Sequence, residues 1–250
     1  MTKSQLEKEI EKLFSSSKDN TNSSYSHEQI KGLPDPVQRY FKYALQENRT
    51  YISYVRLKHG GEFRTKPDQK WMAIDGQEYF TTQKPGFVWF GKVPLVSATD
   101  TYINGTGNLK VKLVSIIKLV DAKEKETDHG ELLRWVAETP WFPTALLPSE
   151  KLKWEPINND SARVILSDDE LTVDGIFHFN LQGQITHFYA KRYRDKNTLE
   201  NWTGYYRDYR AVEGIQIPHN VEVEWNLELG DFCYAKFNIN EIEYNNPLKF

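Results

Sequence analysis

The chain has a single cysteine, Cys233, among its 250 residues. A disulfide within the chain is therefore excluded, and a lone thiol in a strand-like stretch is typical of a small apolar residue in a reducing compartment. The sequence also lacks any apolar run near the roughly 20 residues that a membrane-spanning helix needs. Its start is charged and has no signal-peptide apolar region, so we expect a cytoplasmic protein, or a periplasmic or membrane-anchored one if the natural chain begins earlier.

Positive charge is not concentrated anywhere in the chain, and the formal net charge is −3. Nucleic-acid binding usually needs a clustered basic surface, so we expect no nucleic-acid partner. The motifs G-x-S-x-G, H-E-x-x-H, the Walker loop and a strand-linked G-x-G-x-x-G are all missing. Nothing in the sequence specifies a reaction or a cofactor, and the oligomeric state is not indicated.

Aromatic residues are plentiful, with 7 Trp, 14 Tyr and 13 Phe. Most should lie in the core, because each ring buries a large apolar area. The clearest strand is 219–229, where Val221, Val223 and Trp225 fall on one face and Glu222 and Glu224 on the other. That alternation predicts an antiparallel sheet with one dry face. From residue 51 onward the pattern predicts a mostly β (α+β) fold: a large curved antiparallel sheet or half-barrel of about ten or eleven strands, with helices covering its concave face.

The first 31 residues differ from the rest. Leu6, Ile10, Leu13 and Phe14 follow helical spacing, and a polar linker comes after them. We therefore expect residues 1–31 to be an amphipathic helix with a flexible linker, separable from a single β domain at 32–250. In "LPDPVQRYFKYAL", Asp35, Pro36 and Gln38 predict a helix over about 36–46 that packs on the sheet.

A helical insert interrupts the strands at about 128–148, in "ELLRWVAETPWFPTALLPSEKLKW". Asp128 and Glu131 predict a helix that begins at His129, and Thr139-Pro140 should end it. A short second helical turn should start at Pro143. Because a curved open sheet has a concave apolar face that must be covered, we expect this Trp- and Leu-rich insert to be the cover.

Several of these stretches resemble an uncharacterised bacterial family, a domain of unknown function, over roughly residues 32–244. They are "LPDPVQRYFKYAL", "PGFVWFGKV", the insert, "AKRYR" and "YRAVEGIQIP". The predicted layout is also similar to that of the outer-membrane lipoprotein carriers, half-barrels with helices on the concave side. These resemblances imply a fold and a place for a ligand, but no reaction.

The space between sheet and insert is the expected ligand site. Arg134 lies in a helical stripe with Glu131 and Glu138, beside tryptophans, and a fixed guanidinium there would suit an amphipathic anion such as a fatty acid. A solvated helix face is the default interpretation of such a stripe, and a stripe that points into the concavity is the alternative. The expected ligand-binding residues are Trp71, Trp89, Arg134, Trp135, Glu138, Trp141 and Arg192, with no catalytic residue and no metal ligand among them.

Two strand questions stay open in the sequence. Arg192 and Arg194 either face the concavity, where Glu138 could pair with them, or face solvent. His178 and His187 sit on the arms of a hairpin. Asn180 first and Gly183 fourth favour a turn with Gly183 left-handed, which would offset the two histidines onto opposite faces. A two-residue loop would instead place them side by side. No third ligand lies nearby, so a metal site is not expected.

The sequence thus favours a noncatalytic binding protein for an apolar or amphipathic small molecule, such as a lipid or fatty acid. An enzyme that uses Glu138, Arg134 or a histidine in the same cavity is the second hypothesis, and a raised carboxylate pKa would be its mark. The third is a structural or interaction module with a filled core.

Overall fold

The computed structural model describes residues 3–113, 117–122 and 124–250. Over those residues it contains three α-helices, α1 (Lys3–Ser15), α2 (Asp35–Ala44) and α3 (Lys125–Glu138), and three 3-10 helices, His27–Ile30, Thr139–Trp141 and Pro143–Leu146. The strands of the same residues are β1 Tyr54–Phe63, β2 Met72–Ala73, β3 Asp75–Thr81, β4 Gly86–Val93, β5 Val96–Ile103, β6 Thr106–Leu113, β7 Ile117–Ala122, β8 Leu152–Pro156, β9 Ser161–Asp168, β10 Leu171–Phe179, β11 Ile185–Asp195, β12 Thr198–Val212, β13 Ile215–Leu227 and β14 Gly230–Tyr244.

All of these strands belong to one antiparallel sheet. Its order is β7-β6-β5-β4-β3-β1-β14-β13-β12-β11-β10-β9-β8, and β2 pairs with β1 beside that path. The predicted fold class is confirmed, with more strands than expected.

The sheet curves around α3. One side of this helix contacts β4, β5 and β6, and the other contacts β10 and β11, although these two groups lie near opposite ends of the strand order. Across the same gap, the Tyr102 hydroxyl of β5 donates to Asp168 Oδ2 of β9 over 2.9 Å, with both side chains buried. The face towards α3 is called the inner face below.

The insert fills the middle of the inner face, as expected. Trp135 and Trp141 are 1% and 4% exposed and pack around Phe80 and Phe142. Each indole N–H donates to a backbone carbonyl, Trp135 to Thr81 and Trp141 to Pro218, both at 3.1 Å. Burying an aromatic ring while satisfying its polar atom is the favourable case for tryptophan. The insert is therefore a central part of the core.

The start of α3 was predicted wrongly. The helix begins at Lys125, a turn earlier than His129, and Asp128 is not its cap. The Asp128 carboxylate instead accepts a hydrogen bond from the Gly107 amide of β6 at 2.6 Å. A long-range partner in the sheet thus uses the side chain that local spacing had assigned to the helix end.

Residues before α2 pack on the same sheet. Leu6, Ile10 and Leu13 of α1 are buried against a patch that includes Tyr79 and Val88. These two side chains alternate along β3 and β4 with the inward-facing ones, so α1 covers the outer face. From the expected linker, Tyr25 and Ile30 enter the main core. These contacts weigh against separating residues 1–31, although the division itself stays a prediction. None of the helices in the described residues has the length and apolar character needed to cross a membrane.

Candidate functional site

Arg134 is the centre of a buried network of charges. Its Nε contacts Glu138 Oε1 at 2.8 Å, its Nη1 contacts Asp100 Oδ2 at 2.7 Å, and its Nη2 contacts Glu78 Oε1 at 2.8 Å. Glu138 is one turn along α3, whereas Asp100 and Glu78 project from β5 and β3. All three guanidinium nitrogens are therefore engaged by carboxylates, and only 14% of the side chain is exposed.

A second arginine joins from the other side of α3. Arg192 of β11 donates from Nε to the Gly130 carbonyl at 3.1 Å, and its Nη2 lies 3.4 Å from Glu131 Oε1. Arg192 thus faces inward, while Arg194 is exposed, since the strand register shifts between Tyr193 and Asp195. The term ionic cluster is used below for Glu78, Asp100, Glu131, Arg134, Glu138 and Arg192.

The ionic cluster contains four carboxyl groups and two arginines. Burial raises the pKa of Glu78 well above its usual range, and the neighbouring Glu138 carboxylate raises it further. Burial and the nearby Asp100 act in the same way on the pKa of Glu131, and burial also raises the pKa of Glu138. Asp100 Oδ1, Glu131 Oε2 and Glu138 Oε2 have no hydrogen-bond donor among the described residues. The raised pKa values of Glu78 and Glu138, together with their shared contact with Arg134, indicate that this carboxyl pair holds a proton.

Aromatic rings enclose both arginines. The Arg134 Cζ lies 4.7 Å from the Phe87 ring and 5.3 Å from that of Trp89, and the Arg192 Cζ lies 5.2 Å from Trp202. The Trp89 indole N–H donates to His59 Nε2 at 2.8 Å. Burial lowers the pKa of His59 to about 4, so His59 is neutral at pH 7 and its Nε2 is free to accept.

Beyond the ionic cluster, the inner face carries partly exposed aromatic side chains. They lie on β1, β13 and β14, which are not among the strands that α3 chiefly contacts, and are named the aromatic mouth: Phe63, Trp225, Tyr234 and Phe237. Tyr234 stacks on Trp225 with ring centroids 6.1 Å apart, and Phe63 meets it edge-on at 6.2 Å. The Tyr234 hydroxyl accepts from Trp202 Nε1 at 3.0 Å, and Phe237 packs on His59 at 4.6 Å. These contacts make the mouth continuous with the aromatic lining of the arginines.

The expected ligand residues divide into three groups. Trp89, Arg134, Glu138 and Arg192 come together below the aromatic mouth. Trp135 and Trp141 lie in the filled core. Trp71 is apart from both: its ring lies 4.9 Å from Lys236 Nζ, and Lys236 alternates with the inward-facing Ala235 and Phe237, so Trp71 lies on the outer face.

Sequence reasoning did not single out Glu78, Asp100, His59 or the aromatic mouth. A signal did exist for the two acids, because each occupies an inward position of an alternating strand where an apolar residue is usual. Their pairing with α3 was not foreseeable, since Glu78 and Arg134 are 56 positions apart.

The hairpin histidines are stacked on one face, so the preferred register was wrong. The turn itself is as predicted: Gly183 has a φ of 90° and its amide donates to the Asn180 carbonyl at 3.0 Å. A second register shift, between His178 and Phe179, then brings His178 opposite His187, with ring centroids 4.0 Å apart. Over the described residues, no three His, Cys, Asp or Glu side chains are arranged to hold a metal ion.

A comparison with models of protein families assigns the chain to a family. The model of a family of unknown function, DUF6544, matches residues 23–237, and the chain belongs to that family. The resemblance seen in the sequence is thereby confirmed. No curated protein matches the chain.

One solved structure has a similar layout. It is the crystal structure of a LolA superfamily protein from Nitrosomonas europaea, with 10% sequence identity and a TM-score of 0.47 over 84% of this chain and 92% of that one. At this level of similarity the likeness concerns layout and adds no argument about function.

Proposed function

We propose that this protein is a noncatalytic binding protein that holds an apolar or amphipathic small molecule against the aromatic mouth. The observation that carries the proposal is a set of half-buried aromatic side chains on the inner face of a curved sheet, on strands that are not among those α3 chiefly contacts. Concave sites with mostly apolar walls and a few fixed polar groups are the usual form of small-molecule sites.

The ligand would lie in the mouth and not beneath the insert. Trp135 and Phe142 are essentially fully buried, and their rings pack against the core with no need of a guest. In the mouth, a ligand that removes about 200 Å² of apolar surface from water gains about 5 kcal/mol before the costs of association. Trp89, Arg134, Glu138 and Arg192 would then form the floor of the site.

An enzyme remains the alternative that a specific observation favours. The raised pKa values of Glu78 and Glu138 are what a proton-transferring carboxyl pair would need. Buried ion networks without catalytic roles perturb pKa values in the same way, and Glu78 is only 1% exposed. A screen for substrate turnover would favour the enzyme if it found a pH-dependent activity that Glu138→Gln abolishes while ligand binding persists.

A cytoplasmic location is part of the same proposal. It is supported by the lone cysteine, because Cys233 is half-buried and has no disulfide partner. Fractionation of cells that express the natural gene, with a periplasmic and a membrane marker, tests this directly.

Titration with N-phenyl-1-naphthylamine, an uncharged dye that fluoresces in apolar surroundings, tests the binding proposal. We expect saturable binding, and we expect Phe237→Asn and Trp225→Gln each to weaken it about fivefold, the loss of roughly 1 kcal/mol of ring contact. Leu181→Asn is the matched control, since Leu181 is an exposed apolar residue on the β10–β11 turn at the far end of the strands. Denaturant melts of all variants check the fold. Absence of saturable binding, or equal effects of the control, would overturn the proposal.

A further inference from the structure

We infer that the protein docks on a phospholipid bilayer through leucines at the tips of hairpin turns, at the end of the sheet that holds the aromatic mouth. This inference rests on the proposed function and names the partner from which the mouth would take its ligand. Three observations carry it: two exposed leucines at turn tips, the backbone conformation of one of them, and their place beside the mouth.

The strand register shows which turns share an end of the sheet. β1, β4, β11 and β13 finish where β5, β12 and β14 begin, so the β4–β5, β11–β12 and β13–β14 turns lie at the same end as the loop that leaves β1. The aromatic mouth lies there too, because Phe63 is the last residue of β1 and Tyr234 is near the start of β14. This end of the sheet is called the mouth end below.

Two turns at the mouth end present a leucine to solvent. Leu95 is the second residue of the two-residue β4–β5 loop and is 72% exposed. Leu229 is the second residue of the two-residue β13–β14 loop and is fully exposed. The two-residue loops Asn104-Gly105 and Glu213-Gly214, at the other end of the sheet, have glycine in the same position, which is the usual turn chemistry. Turn formation therefore does not explain the leucines.

The backbone of Leu95 is an independent argument. Its φ is 66°, in the left-handed region where a bulky side chain is strained, and glycine or asparagine is usual at this position after a proline. The other non-glycine residues with positive φ in the described part of the chain have polar side chains: Asn48, Asn104, Asp169, Asp208, Glu213 and Asn245. A leucine that is both strained and exposed destabilises the fold on two counts, which indicates a role in binding.

The spacing of the two leucines fits a bilayer better than a protein surface. Four strand intervals separate the β4–β5 turn from the β13–β14 turn, about 19 Å along the sheet at the usual strand spacing. The β1–β2 loop between them carries Lys66, Asp68 and Lys70, all exposed. A protein interface has one continuous apolar core, which leucines this far apart do not form. A bilayer accepts separate tips, because each apolar side chain that enters it leaves water independently.

The β1–β2 loop also has residues that favour the level of lipid head groups. The ring of Trp71 is partly exposed, and Arg64 Cζ and Lys236 Nζ lie 4.4 and 4.9 Å from its centroid. Tryptophan rings and long basic side chains are both favoured at a membrane interface. The mouth end nevertheless carries both signs of charge, since Glu228 and Asp231 lie at the β13–β14 turn. We therefore expect apolar contact to dominate over attraction to anionic lipid.

Flotation with phosphatidylcholine vesicles tests the inference. We expect the wild type to float with the vesicles and the Leu95→Asn/Leu229→Asn double variant to partition about tenfold less or weaker still, because two apolar side chains no longer leave water. The fold should persist, since asparagine tolerates the left-handed region and Leu229 has no contact to lose; urea melts check this. Leu181→Asn is the matched control, because Leu181 is 88% exposed on the β10–β11 turn at the other end of the sheet.

Vesicles that also contain phosphatidylglycerol test the role of charge. We expect a similar partition into neutral and anionic vesicles, with little dependence on salt, because apolar contacts are not screened as charges are. Binding to anionic vesicles alone, lost at high salt and unchanged in the double variant, would mean that the basic side chains dock the protein. That result would overturn the inference.

A dye titration separates the inference from the proposed function. No flotation of the wild type, or an equal loss for Leu181→Asn, would overturn the inference. The binding proposal would stand if N-phenyl-1-naphthylamine still bound in the absence of vesicles, and the double variant should bind this dye as the wild type does, because the fully exposed Leu229 forms no wall of the mouth. Leucine-dependent flotation without any dye binding would overturn the proposed function.

Discussion

Replacing Arg134 by glutamine should destabilise the protein strongly and in a pH-dependent way. The arginine stands between three carboxylates that are 1% to 13% exposed. Removing one partner of a buried ionic network typically costs about 3 to 5 kcal/mol, because the remaining charges stay buried without compensation. We expect a loss in that range at pH 8. A helix charge that was partly exposed would instead change the unfolding free energy by at most about 1 kcal/mol.

The sign of the pH dependence follows from the acids. In the wild type the folded-state pKa values of Glu78, Glu131 and Glu138 are raised above the ordinary 4.5. Between 4.5 and the raised values the folded state binds more protons than the unfolded state, so these groups stabilise the fold least at high pH. Without Arg134 their pKa values rise further. The stability lost in the variant should therefore be larger at pH 8 than at pH 5.

Urea unfolding followed by tryptophan fluorescence and circular dichroism measures this at both pH values. Arg163→Gln is the matched control, because Arg163 also contacts two carboxylates, Asp174 at 3.0 Å and Glu155 at 3.2 Å, but is 43% exposed. An exposed pair of this kind contributes at most about 1 kcal/mol. A loss below 1 kcal/mol for Arg134→Gln, or one that grows as the pH falls, would refute the reasoning.

Three further expectations follow from packing and titration. Trp141→Ala should cost about 3 kcal/mol or more in a urea melt, as other large core truncations do, and a near-zero change would mean that the insert is a surface loop. The wild type should lose unfolding free energy as the pH falls from 6.5 to 4, because the pKa of His59 is lowered to about 4 in the folded state and only the unfolded state takes up a proton in that window. His59→Gln, which keeps an acceptor for Trp89, should make this loss smaller by up to about 3 kcal/mol. An unchanged pH profile would contradict this. Deleting residues 1–16 should lower the unfolding free energy by more than about 2 kcal/mol, because Ile10 and Leu13 are buried on the sheet, and an unchanged melt would show that α1 is separable after all.

Alternation and helical spacing were enough to predict the sheet and the insert. The one-sided pattern of β13 and the proline-bounded 3-10 turn at Pro143 depend on neighbours in sequence, and both were predicted correctly. The failures concern features that distant residues decide. Asp128 was assigned to a helix end and is bonded to Gly107, and the histidine register was reset by a shift at Phe179 that no turn rule contains.

The candidate site was predictable only in part for the same reason. Arg134 and Glu138 are one helical turn apart, so their pairing is visible in the sequence. Glu78 and Asp100 reach the same guanidinium because β3, β4 and β5 pair in a particular register beneath α3. The sequence predicts an arginine open to an anion, whereas this strand register surrounds the same arginine with carboxylates.

Native mass spectrometry of the protein purified without detergent tests the central claim most directly. If the aromatic mouth binds a small amphipathic molecule, the spectrum should contain a population with one bound molecule of lipid-like mass, which Phe237→Asn loses and Leu181→Asn keeps. Only the bare chain mass in all three proteins, at collision energies that preserve a known lipid carrier's complex, would contradict the account and favour a structural module with a filled core.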